Sequence, residues 1–172
     1  MRKLCVNCME ERGEEETCPL CGYRNGTADS SMLYLRPGTV LAGKYLVGRV
    51  LGHGGFGVTY LGFNTQLEIK LAIKEYLPGD LATREPGSAT VSVYSGEKSD
   101  IFRHGLERFI DEAKALAALN EHPGIVSILD YFRENGTAYI VMPYMEGITL
   151  KEYLGRQGGK IPYETALKIM MP

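Results

Sequence analysis

Four cysteines near the amino terminus, Cys5, Cys8, Cys18 and Cys21, have the type and spacing to hold a metal ion. They form two Cys-x-x-Cys pairs separated by nine residues. Two residues between cysteines let both thiolates face one ion, and two such pairs complete the tetrahedral sulfur site typical of structural zinc. Two disulfides in a secreted mini-domain are the alternative, but no apolar signal-peptide region precedes Cys5. We therefore predict a closed zinc site.

A glycine-rich run from Gly52 to Gly57 lies between two strand-like segments. The pattern G-x-G-x-x-G alone also occurs in dinucleotide-binding folds. Here Gly57 leads into Val58-Thr59-Tyr60 rather than a helix, and no Gly-Lys-Ser/Thr follows, which argues against the Rossmann and P-loop classes. A glycine hairpin tip can lay backbone N–H groups against phosphate oxygens without Cβ clashes. An ordinary hairpin is the alternative.

A lysine and a glutamate form the third candidate constellation. Strand alternation places Ala72 and Lys74 on one face of their strand. Glu112 falls on the apolar stripe of a predicted helix, where a carboxylate needs a partner because an unpaired buried charge is costly. Lys74 is the natural partner, and a Lys–Glu pair would hold the ammonium group against phosphates. Extension of Glu112 to solvent at the edge of the stripe is the alternative.

The elements that must position these residues are read from hydrophobic periodicity. The sequence predicts an α+β fold with five antiparallel strands, one principal helix and two short helices. The strands are expected near residues 45–51, 58–63, 69–74, 125–132 and 138–142, the principal helix over 101–119 and the short helices over 150–154 and 163–171, with a further hairpin near 89–94. The helix carries an apolar stripe of Phe102, Leu106, Phe109, Ala113 and Leu116.

Over residues 38–172 these features resemble the protein kinase family, specifically bacterial serine/threonine kinases of eukaryotic type. The resemblance is carried by the glycine-rich segment 51–60, by Ala72-Ile73-Lys74, by Glu112 in the principal helix, by His122-Pro123-Gly124-Ile125-Val126, and by residues 139–147 as fifth strand and hinge. It implies a kinase amino-terminal lobe with a five-stranded sheet and one main helix.

The resemblance also implies roles for individual residues in binding ATP. The adenine would lie between Leu51, Thr59 and Ala72, with Met142 as gatekeeper, Pro143 offering its carbonyl and Met145 its backbone N–H. Lys74, paired with Glu112, would bind the α- and β-phosphates. The nucleotide site would be completed by Gly52, Gly54, Gly55, Phe56, Gly57 and Tyr144. The sequence departs from the family in having Thr59 for valine, Pro143 for glutamate, and a long stretch before the helix that implies an insertion.

Motifs of the second kinase lobe are not found in the sequence. The family takes its catalytic aspartate and magnesium ligands from His-Arg-Asp and Asp-Phe-Gly, and neither tripeptide occurs. We expect a fragment of a kinase that transfers the γ-phosphoryl group of ATP, with Mg²⁺, to serine or threonine of protein substrates. The fragment alone is predicted to be catalytically inactive. The alternative is a naturally short, non-catalytic nucleotide-binding or scaffolding module, and a homodimer would suit either reading.

The composition is that of a globular protein, with 44% hydrophobic residues, 23% charged residues and a net charge of −2. This balance gives no reason to expect nucleic acid or an anionic membrane as partner, and glutamates between the cysteine pairs would repel phosphates. No apolar stretch reaches the roughly 20 residues of a membrane span, so we expect a cytoplasmic protein. The predicted division is a zinc module at 1–25, a linker at 26–38, the kinase lobe at 39–147, and the first helices of a second lobe at 148–172.

Overall fold

The computed structural model describes residues 3–24, 33–122 and 124–171. Most of the predicted linker and Pro123 of the His-Pro-Gly motif lie outside these ranges. Within them, a six-stranded antiparallel sheet has the order β1-β2-β3-β4-β8-β7, and β5 and β6 form a separate hairpin. The strands are β1 Val40–Leu41, β2 Tyr45–Gly54, β3 Gly57–Asn64, β4 Ile69–Tyr76, β5 Ala82–Arg84, β6 Val91–Val93, β7 Asp130–Glu134 and β8 Thr137–Pro143; the helices are α1 Glu97–Ala117, α2 Leu150–Arg156 and α3 Tyr163–Met170.

The sheet has two faces with different neighbours. The face that bears Ala72 and Lys74, here called the inner face, packs in part against α1, and Ile140 contributes to that core. The opposite, outer face carries Leu71 and Ile73, which pack with Tyr139 in a second core cluster. The predicted alternation of Ala72 and Lys74 against Leu71 and Ile73 is therefore confirmed.

Helix α1 packs on the inner face through the predicted apolar stripe. Phe102, Leu106, Phe109 and Ala113 are buried, and Leu116 packs at the edge of the same cluster. The helix begins four residues earlier than predicted and ends two residues earlier, at Ala117. Its periodicity fixes the buried side, whereas the exact termini depend on local contacts.

The predicted strand over 125–132 is wrong in its first half. Regular pairing begins only at Asp130. Residue Ile128 is held instead by the side chain of Asn120: the Asn120 amide donates to the Ile128 carbonyl at 2.9 Å, and the Ile128 N–H donates to Asn120 Oδ1 at 2.8 Å. An amide side chain thus satisfies the backbone of Ile128, and the apolar run 125–129 follows the end of α1 as a loop until the Leu129 N–H donates to the Val141 carbonyl of β8 at 2.8 Å.

Two further differences concern the size of the sheet and its outer cover. The short strand β1 adds a sixth strand at the edge. The hairpin expected near 89–94 is observed with different bounds: only its second strand, β6, lies in that range, and it pairs with β5, which begins at Ala82. Leu35, within the predicted linker, is 3% exposed and packs in the outer cluster, where its N–H donates to the Tyr60 hydroxyl at 3.1 Å. Residues 33–35 therefore belong to the folded lobe.

Helices long and apolar enough to cross a membrane are not found among the residues that the structure describes.

Candidate nucleotide and metal sites

Strand register gathers the predicted nucleotide-binding side chains on the inner face. Ala72 pairs with Leu61 on one side and Met142 on the other, while Lys74 pairs with Thr59 and Ile140. Directly paired residues of an antiparallel sheet project to the same face. The small Ala72 and the half-buried Met142 thus lie one row from Lys74, and the half-buried Thr59 lies beside them in the same row as Lys74.

Lys74 lies close to the helix residue predicted to pair with it. Its Nζ is 4.0 Å from Glu112 Oε1 and 5.4 Å from the centre of the Phe109 ring. The side chains of Lys74 and Glu112 are 34% and 57% exposed. The expectation that Glu112 faces the core is therefore wrong. Phe109 and Ala113 make the contact between α1 and the sheet, and Glu112 approaches Lys74 from the edge of the apolar stripe. An exposed pair of this kind stabilises the fold little, about 0–1 kcal/mol.

The glycine-rich segment forms the β2–β3 hairpin tip, closed by the pair Gly54–Gly57. The fold itself requires glycine at position 57, since its φ is 145° and a Cβ there would lie 1.9 Å from the Glu75 carbonyl oxygen. At Gly52, Gly54 and Gly55 an added Cβ would meet no described atom within 4 Å, and none has a positive φ. Packing within the described residues therefore does not require glycine at these three positions, and the space beside the hairpin stays open to an incoming group.

The end of β8 leads into the predicted hinge. Pro143 pairs with Leu71, and the chain then leaves regular structure until α2 begins at Leu150. Tyr144 is half-buried and Met145 is 76% exposed. At the other end of the sheet Leu51 is half-buried, whereas Phe56 at the hairpin tip is 77% exposed. The backbone of 143–145 therefore borders the Ala72–Met142 patch, and Phe56 projects from the hairpin into solvent.

The four cysteines converge, with all their sulfur atoms within 4.8 Å of one another. The Sγ atoms of Cys5 and Cys21 are 3.6 Å apart, and those of Cys8 and Cys18 are 3.9 Å apart. A tetrahedron with metal–sulfur bonds of about 2.3 Å has edges of about 3.8 Å, whereas a disulfide requires about 2.05 Å. The spacing and the all-sulfur donor set fit a zinc-type ion.

The cysteines differ in their protonation equilibria. Burial, reinforced by the neighbouring thiols, raises the pKa of Cys8 to about 12. Burial also acts to raise the pKa of Cys21, but the Asn7 amide and other hydrogen bonds outweigh it and lower the pKa to about 6. A bound cation favours the thiolate form of every ligand, so metal binding by this set releases protons.

The segment around the cysteines, residues 3–24, is here called the Cys module, and it docks on β2. Met9 is 1% exposed. A Cβ on Gly48 would lie 2.3 Å from Met9 Cε and 2.4 Å from the Val6 carbonyl oxygen. The Arg49 N–H donates to the Val6 carbonyl at 3.0 Å, and Arg49 Nε donates to the Asn7 carbonyl at 3.0 Å. Gly48 therefore leaves a notch that Met9 fills.

Sequence reasoning missed Lys70, two residues before Ala72 on the same face. Lys70 forms an ion pair with Glu10 of the Cys module, and its Nζ lies 3.6 Å from Glu146 Oε1 in the predicted hinge. The Glu10 carboxylate raises the pKa of Lys70. The strand period places Lys70 with Ala72 and Lys74, which was the available signal, but its two partners are distant in sequence.

The described residues thus combine an antiparallel sheet, one packed helix, a glycine hairpin and a lysine–glutamate pair. The protein kinase domain family matches residues 45–171. The chain belongs to the protein kinase family, and its described fold is that of the amino-terminal lobe.

Similar proteins are bacterial serine/threonine kinases. PrkC of Bacillus subtilis is 38% identical over 133 residues, which cover 77% of this chain and 17% of PrkC. PknG of Mycolicibacterium smegmatis is 26% identical over 185 residues, covering 99% of this chain and 20% of PknG. The chain thus spans only a small part of these relatives.

Solved structures show the same fold. The structure described as the PpkA-294 apo form has a TM-score of 0.71 at 34% identity and covers 78% of this chain and 47% of that one. The PknI kinase domain of Mycobacterium tuberculosis has a TM-score of 0.55 at 26% identity, covering 80% and 48% respectively.

Proposed function

We propose that this chain contains the ATP-binding amino-terminal lobe of a serine/threonine protein kinase. The observation that carries the proposal is the open space at Gly52, Gly54 and Gly55. Glycine in a strand or hairpin lowers stability by about 0.5–1 kcal/mol relative to alanine, and packing within the described residues does not require it here. A ligand whose oxygen atoms approach the backbone does require it, and phosphate oxygens suit the backbone N–H groups.

The remaining site residues have complementary roles in this proposal. The patch of Thr59, Ala72 and Met142 takes the flat base, with Leu51 above it. The backbone of Pro143 and Met145 recognises the edge of the base, and Tyr144 lies between them. Lys74 supplies positive charge to the phosphates, and Glu112 orients Lys74 from the edge of α1.

Bound ATP supplies the phosphoryl group, and Mg²⁺ in the complete kinase neutralises its charge. The residues of this chain hold and orient the nucleotide. The family residues that activate the acceptor hydroxyl and ligate the magnesium do not occur in this sequence. We propose that the 172-residue chain binds nucleotide without transferring phosphate, and that protein substrates are engaged by the whole kinase.

The Cys module is proposed to hold one zinc ion through Cys5, Cys8, Cys18 and Cys21. Four thiolates fill a tetrahedral site, so the ion supplies folding energy to a segment too short to bury much apolar surface. The buried Met9 then serves as the contact between the module and the sheet.

Isothermal titration calorimetry with a non-hydrolysable ATP analogue tests the nucleotide proposal. Wild type is expected to bind at one site, and Lys74→Met is expected to weaken binding at least about tenfold, because a charged hydrogen bond to phosphate contributes about 1.5–3 kcal/mol. Lys44→Met is the matched control, since Lys44, in the turn between β1 and β2, pairs at 3.0 Å with Asp130 of β7 and not with a residue of the proposed site. Equal affinity of wild type and Lys74→Met would overturn the role of Lys74, and no binding by wild type would overturn the proposed function.

A further inference from the structure

The Cys module lies at the adenine end of the proposed nucleotide site. Gly48 accommodates Met9 and lies in an irregular part of the β2–β3 pairing. The flanking pairs are Val47–Gly62 and Val50–Tyr60, so Gly48 lies opposite Leu61. Leu61 is 2% exposed and pairs with Ala72. The docking notch therefore adjoins the row of the sheet that would contact the base.

Lys70 continues this contact along β4. Its side chain is 25% exposed, less than those of Glu10 at 48% and Glu146 at 77%. A half-buried ammonium group between two carboxylates loses less to solvent screening than an exposed pair does. Lys70 therefore connects Glu10 of the Cys module to Glu146.

The segment that carries Glu146 has little backbone order of its own. Residues 144–149 lie outside helices and strands, between β8 and α2. Their position relative to the sheet thus depends on side-chain contacts, of which Lys70–Glu146 is one. The same segment holds Met145, whose backbone N–H is proposed to recognise the base.

We propose that Lys70 is a positioning residue that fixes the hinge segment to the Cys module and thereby sets nucleotide affinity. The inference rests on the proposed nucleotide binding. Lys70 does not contact the nucleotide in this scheme; it holds Glu146, and Glu10 holds Lys70. A folded Cys module is therefore required for full affinity.

Two readouts test this inference on the full chain with zinc bound. Lys70→Met and Glu10→Gln are each expected to weaken binding of the ATP analogue about threefold, the scale of a partly exposed ion pair coupled to a second site. Lys70→Arg is expected to restore affinity. Hydrogen exchange of the amides of 144–149 is expected to accelerate in Lys70→Met and Glu10→Gln but not in Lys70→Arg.

Lys44→Met, which breaks an ion pair of similar exposure between the β1–β2 turn and Asp130 of β7, is expected to change neither readout. If wild type binds the analogue and Lys70→Met binds equally well, the inference is overturned while the proposed function stands. If wild type does not bind the ATP analogue, both the proposed function and this inference are overturned. Weaker binding by Lys70→Met that Lys70→Arg does not restore would also overturn it.

Discussion

Arg84 and Glu75 form an ion pair in which both side chains are completely buried. Arg84 Nη1 donates to Glu75 Oε2 at 3.2 Å, and its Nε donates to the Ala89 carbonyl at 3.0 Å. The hydroxyls of Tyr60 and Tyr139 donate to the two Glu75 oxygens at 2.7 and 2.8 Å. Burial and then the Glu75 charge raise the pKa of both tyrosines, so they remain donors. The pair fastens the β5–β6 insertion to the outer face.

Arg84→Met is expected to lower the free energy of unfolding by about 3–5 kcal/mol, because it leaves the Glu75 carboxylate buried without its cation. Urea denaturation followed by circular dichroism measures the loss. Arg133→Met serves as the control, since the Arg133–Glu107 pair is 52% and 53% exposed and its loss should cost at most about 1 kcal/mol. Equal effects of the two substitutions would contradict the buried-pair argument.

Gly54→Ala is expected to impair nucleotide binding, whereas Gly57→Ala is expected to lower the stability of the fold. Gly54→Ala should keep the unfolding midpoint of wild type yet weaken binding of the ATP analogue, because its Cβ enters only the open space beside the hairpin. Gly57→Ala should lower the midpoint, because its Cβ would overlap the Glu75 carbonyl at a φ unfavourable for alanine. Thermal unfolding with calorimetry separates the two effects. Normal nucleotide binding by a stable Gly54→Ala protein would exclude close approach of phosphate at that position.

Glu112→Gln is expected to weaken analogue binding by no more than about fivefold, because the pair with Lys74 is partly exposed and Lys74 keeps its own charge. Glu107→Gln on the same helix is the control and should leave affinity unchanged, since Glu107 pairs with Arg133. Calorimetric titration measures both variants. A larger loss in Glu107→Gln than in Glu112→Gln would count against the positioning role of Glu112.

Cys18→Ser is expected to abolish zinc binding, which elemental analysis should find at about one ion per chain in wild type. Without the ion the Cys module should lose its fold and release Met9, while the rest of the lobe keeps its unfolding transition. Exchange of the Arg49 amide, which donates to the Val6 carbonyl, reports the release. Wild-type protein purified without chelator and containing no zinc would refute the metal proposal.

The sequence predicted those parts of the molecule whose signals are local. Periodicity gave the faces of α1 and β4, and two Cys-x-x-Cys pairs gave the sulfur cluster. The spacing of Lys74 and Glu112 within recognised motifs anticipated their approach to 4.0 Å. Each of these rests on a repeat or on motifs that can be recognised one at a time, even where the partners are far apart in sequence.

The contacts that it did not predict are not marked by any repeat or motif. Glu75 follows Lys74 on β4 and looks like an ordinary surface charge until Arg84 folds back over it. Gly48 lowers the strand propensity of β2, and the sequence does not indicate that Met9 fills the space left by the missing side chain. The apolar run 125–129 has the composition of a strand, but within it Ile128 bonds the Asn120 side chain, and only Leu129 bonds the neighbouring strand β8.

The bond pair between Asn120 and Ile128 also governs how α1 can move. It anchors the chain just beyond the carboxyl end of the helix, so tilting turns α1 as a lever about that end. Glu112 lies about 8 Å from the end and Glu97 about 30 Å, so a tilt of about 10° moves Glu112 by only about 1 Å. Moving Glu112 several ångströms away from Lys74 would instead require α1 to shift or roll as a whole, and a roll would lift Phe109 and Ala113 off the sheet.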